Sequence, residues 1–184
     1  RDYAKAEVIN VVDNECKASA GVTLFQALPK GDKLDLITQK CVELGVEKIV
    51  PFLSQYTNES KFNLQRLNRI ALEACKQCGR ARSAQVGELV DIDGLLTMLE
   101  DYDTVILPYE HAKVGKISQA QGIEKGKKIA VIVGSEGGFS QEEVDKIVAR
   151  GGQVVSLGKR ILRCETAAII TAAIIMYELG DLQG

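Results

Sequence analysis

The sequence contains no tryptophan, a single histidine, three prolines and almost equal numbers of positive and negative side chains. Each shortage closes an option. With aromatics at 5% of the chain, aliphatic side chains must fill the core. His111 alone would have to support any Ser-His-Asp chemistry, and no nucleophile signature accompanies it. The net charge of −2 does not announce a nucleic-acid partner, so any basic surface must be local. The longest apolar run, AAIITAAIIMY at 167–177, is about half the ~20 residues needed to cross a bilayer. It predicts a buried helix, and no membrane association is expected. No secretory signal is visible, and a chain opening on Arg1 rather than Met is expected to be a piece of a longer protein.

Cysteine is present but not in a useful pattern. Cys16, Cys41, Cys75, Cys78 and Cys164 are odd in number and irregularly spaced, which argues against a disulfide framework and for a reducing, cytoplasmic setting. Cys75-x-x-Cys78 is the one close pair. A zinc site needs four ligands, and neither a second pair nor a nearby histidine completes it, so no metal is expected. The pair falls in a helical pattern, where two small apolar residues share one face.

What remains is an ordinary globular composition, 46% hydrophobic and 26% charged, long enough for one domain with a substantial core. EVINVV (7–12), VTLFQAL (22–28), VEKIVPFL (46–53), TVILP (104–108), KIAVIVG (128–134) and QVVSL (153–157) read as strands. KGDKLDLITQKCVELG places Leu34, Ile37, Cys41 and Leu44 on one helical face, with Gly45 as the stop. Residues 63–79 form a second helix, capped by Asn63 and ended by Gly79. A short helix follows Asp91. Ser140-x-x-Glu143 is a capping box opening another, which Gly151 ends. ETAAIITAAIIMYELG closes the chain. Strands alternating with helices predict an α/β fold with a mostly parallel sheet. The only candidate boundary is DNECKASAG, near 13–21.

In such sheets ligands bind beyond the carboxyl ends of the strands. Three of those ends are unusual: LPYEH (107–111), GSEGGFS (134–140) and LGKRILRCETA (157–167). The second is neither a Walker A motif nor a dinucleotide fingerprint, because the glycine spacing is wrong and no acidic residue ends the next strand. By itself it is equally a tight strand-to-helix turn with a solvated Glu136. The third carries Lys159, Arg160 and Arg163 between a buried strand and a buried helix, more charge than the connection needs for folding. A second basic segment runs from Lys61 to Arg82. Arg66, Arg69, Lys76 and Arg80 share a broad helical face there, with Arg82 just beyond, and this is either a phosphate-binding surface or a solvated helix.

Taken together, LPYE, GSEGGFS and LGKRILRCETA, with QALPKGDKLDLITQKCVELGV and EACKQCGR, resemble the signature of the ribosomal RNA small-subunit methyltransferase E family over about 22–180. Two departures stand out: the family usually carries Pro where this chain has Ser135, and Ser near Cys78. The resemblance implies the SPOUT class, an α/β fold with a C-terminal deep trefoil knot. It implies residues 17–184 as the methyltransferase domain and 1–16 as the remnant of an N-terminal PUA-like β-barrel. It further implies a homodimer that uses S-adenosylmethionine to methylate N3 of one uridine in small-subunit 16S ribosomal RNA.

Under that resemblance the cofactor sits among the three loops. Glycines at 134, 137 and 138 would let backbone reach the adenine and ribose. Leu107, Leu157, Ile161 and Leu162 would wall the adenine. Pro108, Glu110, Glu136 and Gly158 complete the loops, and Thr166 and Ala167 open the last helix, whose amides can bind a polar edge. Uracil N3 must lose a proton to become nucleophilic. Arg163 is the candidate cation for the resulting anion, and Glu136 or Glu165 the candidate proton acceptor. Arg66, Arg69, Lys76, Arg80 and Arg82 would contact RNA. A SPOUT enzyme acting on another RNA and a noncatalytic RNA-binding or assembly module are the alternatives.

Overall fold

The protein is described by a computed structural model covering residues 3–11, 16, 18–59, 61–112 and 115–183. The elements in chain order are β1 (Gly21–Ala27), α1 (Lys33–Glu43), β2 (Lys48–Phe52), α2 (Leu64–Gln77), β3 (Gln85–Val86), α3 (Ile92–Met98), β4 (Thr104–Pro108), β5 (Lys128–Val133), α4 (Gln141–Ala149), β6 (Gly152–Val155) and α5 (Cys164–Glu178). The six strands form one sheet, ordered β3-β2-β1-β5-β4-β6, in which every pairing is parallel. The alternation of elements predicted this class of fold.

Because the sheet is covered on both sides, its central strands are apolar on both faces. Val22 and Leu24 of β1 join Ile129 and Val131 of β5 in the core beneath α1, α2 and α5. Phe25, Ala130 and Ile132 face the other way, into the core beneath α3 and α4. The predicted caps form. The Asn63 side chain accepts from Arg66 N at 2.9 Å, Asp91 from Gly94 N at 2.8 Å, and Ser140 and Glu143 make a reciprocal capping box.

One expected strand is missing and one unexpected strand is present. Residues 7–11 form no strand, and Val8, Ile9 and Val11 are exposed; Val12 lies outside the described residues. A strand needs a ladder partner for its backbone, and none is present for this segment among the described residues. The two-residue β3, too short to leave a periodic signal, was not foreseen. Of the boundary near 13–21, residues 13–15 and 17 lie outside the described set.

Candidate active site

The carboxyl ends of β4, β5 and β6 bring the three unusual loops together. One cleft of about 310 Å³ is lined by Pro108 and Glu110 from the first loop and by Gly134, Ser135, Glu136, Gly138 and Phe139 from the second. The third contributes Ile161, Leu162, Arg163, Cys164 and Ala167. A small annex of about 60 Å³ shares Pro108, Glu110, Leu162 and Ala167 and adds Tyr109, Leu157, Gly158 and Arg160. The larger volume lies at the lower end of the range for small-molecule sites.

Lys33, which sequence reasoning passed over, also lines the cleft. It is the first residue of α1, and its Nζ lies 2.5 Å from Glu136 Oε1 and 4.0 Å from Glu165 Oε2. Glu136 additionally accepts from the Lys30 backbone N–H at 3.1 Å. Burial pushes the Glu136 carboxyl upward, but the Lys33 hydrogen bond, backbone N–H donors and the Lys33 charge together outweigh it and hold the carboxyl below its usual range. The Lys33 ammonium is raised, chiefly by its hydrogen bond to Glu136. Glu136 is therefore a locked anion that ties the β1–α1 turn to the second loop, and a poor proton acceptor. Gln26, buried at the end of β1, adds a second tie, its amide donating to Gly134 O at 3.1 Å. The only advance sign of Lys33 was its place: the first helical residue after a strand whose carboxyl end faces the loops.

Arg163 caps α5 without using its side chain, which is exposed and lines the cleft free of any ion pair or hydrogen bond among the described residues. Glu165 is half-buried and accepts from Cys164 Sγ at 3.3 Å. The Cys164 thiol is pushed up to about 12 by burial and then by that hydrogen bond, so it stays protonated and unreactive. Ile161, an apolar side chain in the cleft wall, is 86% exposed.

Several expected roles need correction. Leu107 is fully buried in the α3–α4 core and cannot wall a ligand with its side chain. Close packing within the protein is a further reason for the glycines, of which Gly134 and Gly138 line the cleft. A Cβ on Gly137 would stand 2.6 Å from Tyr56 Cβ, one on Gly138 2.6 Å from Glu110 Oε1, and one on Gly134 3.1 Å from Gly138 Cα. The space they leave is filled by the protein itself, and Gly138 also needs its positive φ of 66°. Gly137 and Thr166 do not line either cleft, whereas Ala167 lines both.

The basic face of α2 is sorted by the fold. Arg66 pairs with Asp35 and, at 3.4 Å, with Asp32. Lys76 pairs with Glu73 at 2.9 Å. Arg80 lies beyond the helix, and its Nη1 donates to Val42 O and Val46 O, both at 2.8 Å, at the C-terminal end of α1. Its assignment to a helical RNA face is thus corrected: the guanidinium is held by the Val42 carbonyl, which also accepts from Gly45 N at 3.1 Å, and by the Val46 carbonyl in the turn after α1. Arg69 and Arg82 keep exposed side chains without a partner among the described residues.

Residues 16–176 match the RNA methyltransferase domain family. The chain is 31% identical to the ribosomal RNA small subunit methyltransferase E of Bacillus subtilis (strain 168), an alignment covering all of this chain and 76% of that protein. Among solved structures, a ribosomal RNA small subunit methyltransferase E from Neisseria gonorrhoeae bound to S-adenosyl methionine is 31% identical. It superposes with a TM-score of 0.79, over 91% of this chain and 70% of that one. A TrmH/SpoU tRNA modifying enzyme from A. aeolicus, at 17% identity and a TM-score of 0.56 over 90% of this chain and 77% of that one, shares the fold. With a family match over most of its length and a relative 31% identical along all of it, the chain belongs to the ribosomal RNA small subunit methyltransferase E family, within the RNA methyltransferase domain family.

Proposed function

We propose that this protein transfers a methyl group from S-adenosylmethionine to N3 of a uridine in small-subunit ribosomal RNA. The observation that carries the proposal is the meeting of three crossover loops around one cleft in a chain of this family. The residues present suit the cofactor. Pro108, Ile161 and Leu162 offer apolar edges for a nucleobase, and Gly158 and Leu157 border the annex. Cys164, the first residue of α5, brings the N-terminal end of a helix to the cleft, suited to a polar or carboxylate edge. Bound there, the cofactor supplies an electrophilic methyl carbon on a sulfonium. The chain's own task is to hold the uracil in line with that carbon and to manage one proton. Arg163, unpaired in the cleft wall, is placed to stabilise the uracil oxygen that gains charge as N3 is deprotonated.

The finer assignments are part of the same proposal. The outer side of α5 leaves Ile170 and Tyr177 exposed and Ala173 and Ile174 half-buried, an apolar strip suited to a homodimer interface. The segment between β6 and α5 runs beside the long β4–β5 connection, with Ser156 N donating to Gly115 O at 2.8 Å. That path is compatible with a C-terminal trefoil knot. Residues 1–16 are the expected remnant of the barrel domain, and a cytoplasmic location follows from the substrate. No helix among the described residues is long and apolar enough to cross a membrane.

Calorimetric titration with S-adenosylmethionine, followed by mass mapping of 16S ribosomal RNA incubated with protein and cofactor, tests the proposal. Binding and one new 3-methyluridine are expected. No heat from a folded protein, or methylation confined to transfer RNA, would overturn it.

A further inference from the structure

We propose that Glu110 is the group that takes the N3 proton of the target uridine, which makes it a catalytic residue of the reaction proposed above, on which this inference rests. Three carboxylates stand at the junction of the loops, and their surroundings separate them. Glu136 is bound by Lys33 Nζ at 2.5 Å and by Lys30 N at 3.1 Å. Glu165 accepts from Cys164 Sγ at 3.3 Å, lies 4.0 Å from Lys33 Nζ, and does not line the cleft. Glu110 lines both the cleft and its annex, is exposed, and has no hydrogen bond or ion pair among the described residues.

Its carboxylate stands beside the second loop. Glu110 follows Pro108, the last residue of β4, by two positions, and its carboxylate lies over Gly138, where a Cβ would stand 2.6 Å from Oε1. A side chain at 138 would displace the carboxylate, so the glycine keeps this place open for Glu110. The groups around it are Lys33 from α1, Glu136 from the second loop, Arg160 and Arg163 from the third, and Tyr109 and His111 beside it in the chain. Arg163 and Glu110 line the same cleft, a cation and an unengaged carboxylate on two different loops. A neutral uracil imide needs that combination: a cation for the oxygen that gains charge and an acceptor for the N–H proton.

The step balances. The N3–H bond breaks and its proton passes to a Glu110 carboxylate oxygen. The electron pair left on N3 forms the bond to the methyl carbon as the S–CH3 bond breaks, and the pair from that bond neutralises the sulfonium. The products are 3-methyluridine and S-adenosylhomocysteine, and Glu110 then releases its proton to solvent.

The test uses the whole protein and its Glu110→Gln variant. Calorimetry should give the same affinity for S-adenosylmethionine within about twofold, while single-turnover methylation of 16S ribosomal RNA falls about 100-fold or more. A second readout does not depend on turnover. With S-adenosylhomocysteine present and 4-thiouridine at the target position, the wild type should shift the thiouracil absorbance toward the anion near neutral pH, and the variant should not. A 5-fluorouridine target, whose N3–H is more acidic, should recover part of the variant's rate. Undiminished turnover or a persisting anion signal in the variant would remove Glu110 from the chemistry. A tenfold loss of cofactor affinity would make it a cofactor ligand instead. If the wild type itself neither binds the cofactor nor methylates uridine, the function proposed above fails, and this inference with it.

Discussion

Two segments of this chain are rich in arginine and lysine and look alike in sequence: 61–82, around α2, and 157–163, between β6 and α5. The fold treats them differently. In the first, Arg66 pairs with carboxylates at the start of α1, Lys76 with Glu73 on its own helix, and Arg80 with the Val42 and Val46 carbonyls around the end of α1. In the second, Lys159, Arg160 and Arg163 are exposed and unpartnered among the described residues, and two of the three line the clefts. Local charge density therefore does not by itself identify a binding surface, and Arg69 and Arg82 show that uncompensated charge remains in the first segment too. What sets the second apart is that its free charge stands where three strand-end loops meet around one cleft.

The largest effect expected from that contrast lies at Arg163. Arg163→Ala should lower methyl transfer about 100-fold or more, as loss of one charge-stabilising donor typically does, while leaving the melting temperature and cofactor affinity near those of the parent. Near-normal turnover would place the uncompensated charge of the third loop outside the chemistry.

A smaller effect is expected where charge in the cleft is compensated. Lys33→Met should weaken S-adenosylmethionine binding several-fold by freeing Glu136 and loosening the second loop, with the rate of the bound complex less affected. The pH response follows from the two shifts. The Glu136 carboxyl is held below its ordinary 4.5, so its contribution to loop order is fully present above that value and is lost as pH falls through the lower folded value. The Lys33 ammonium is raised above 10.5, so its contribution persists across the neutral range and is lost only as pH rises past the folded value. Cofactor affinity measured by calorimetry should thus stay flat near neutrality in the wild type. It should decline on the acid side only while Glu136 is present, and an equal acid decline in Glu136→Gln would show that the pair has no part in it.

The first basic segment divides internally, and this gives a finer test. Replacing Arg69 and Arg82 together should reduce the dependence of log K on log salt for RNA binding by between one and two, because two phosphate contacts are removed. Arg80→Ala should instead destabilise the fold by about 1–2 kcal/mol in denaturant titrations, having removed charge-assisted hydrogen bonds from the Val42 and Val46 carbonyls. RNA affinity that fell more on Arg80 replacement than on the double replacement would reverse this division.

The sequence made the architecture legible because periodicity, caps and stops act locally. Asn63, Asp91 and Ser140 each mark a helix start within three residues of the bond they make. The three loops were legible as well, since the end of a parallel strand is where a ligand is expected. Pairing was not legible. Lys33 and Glu136 are separated by 103 positions and Arg80 and Val42 by 38, and no window on the sequence joins them. The same limit misassigned Leu107, whose place in the loop motif suggested a ligand wall but whose strand parity turns it into the core beneath α4. The exposed 7–11 segment failed as a strand for the complementary reason: its pattern was right, but a strand is completed only by a partner.

Uncompensated polar groups teach something further when they are buried. Thr171 Oγ1, on the fully buried side of α5, has no hydrogen-bond partner among the described residues. In the cleft, an unpaired group is hydrated until a ligand arrives, so leaving it free costs little. Inside the core the same condition costs the desolvation of a hydroxyl with no return. Thr171→Val keeps the shape and removes the hydroxyl, and should stabilise the fold by about 1 kcal/mol, raising the melting temperature by about 2–4 °C for a chain of this size. Because α5 carries Arg163 at its N-cap while Thr171 faces the core, activity at moderate temperature should not change. If the valine variant melts lower than the parent, the hydroxyl has a partner after all, such as a buried water.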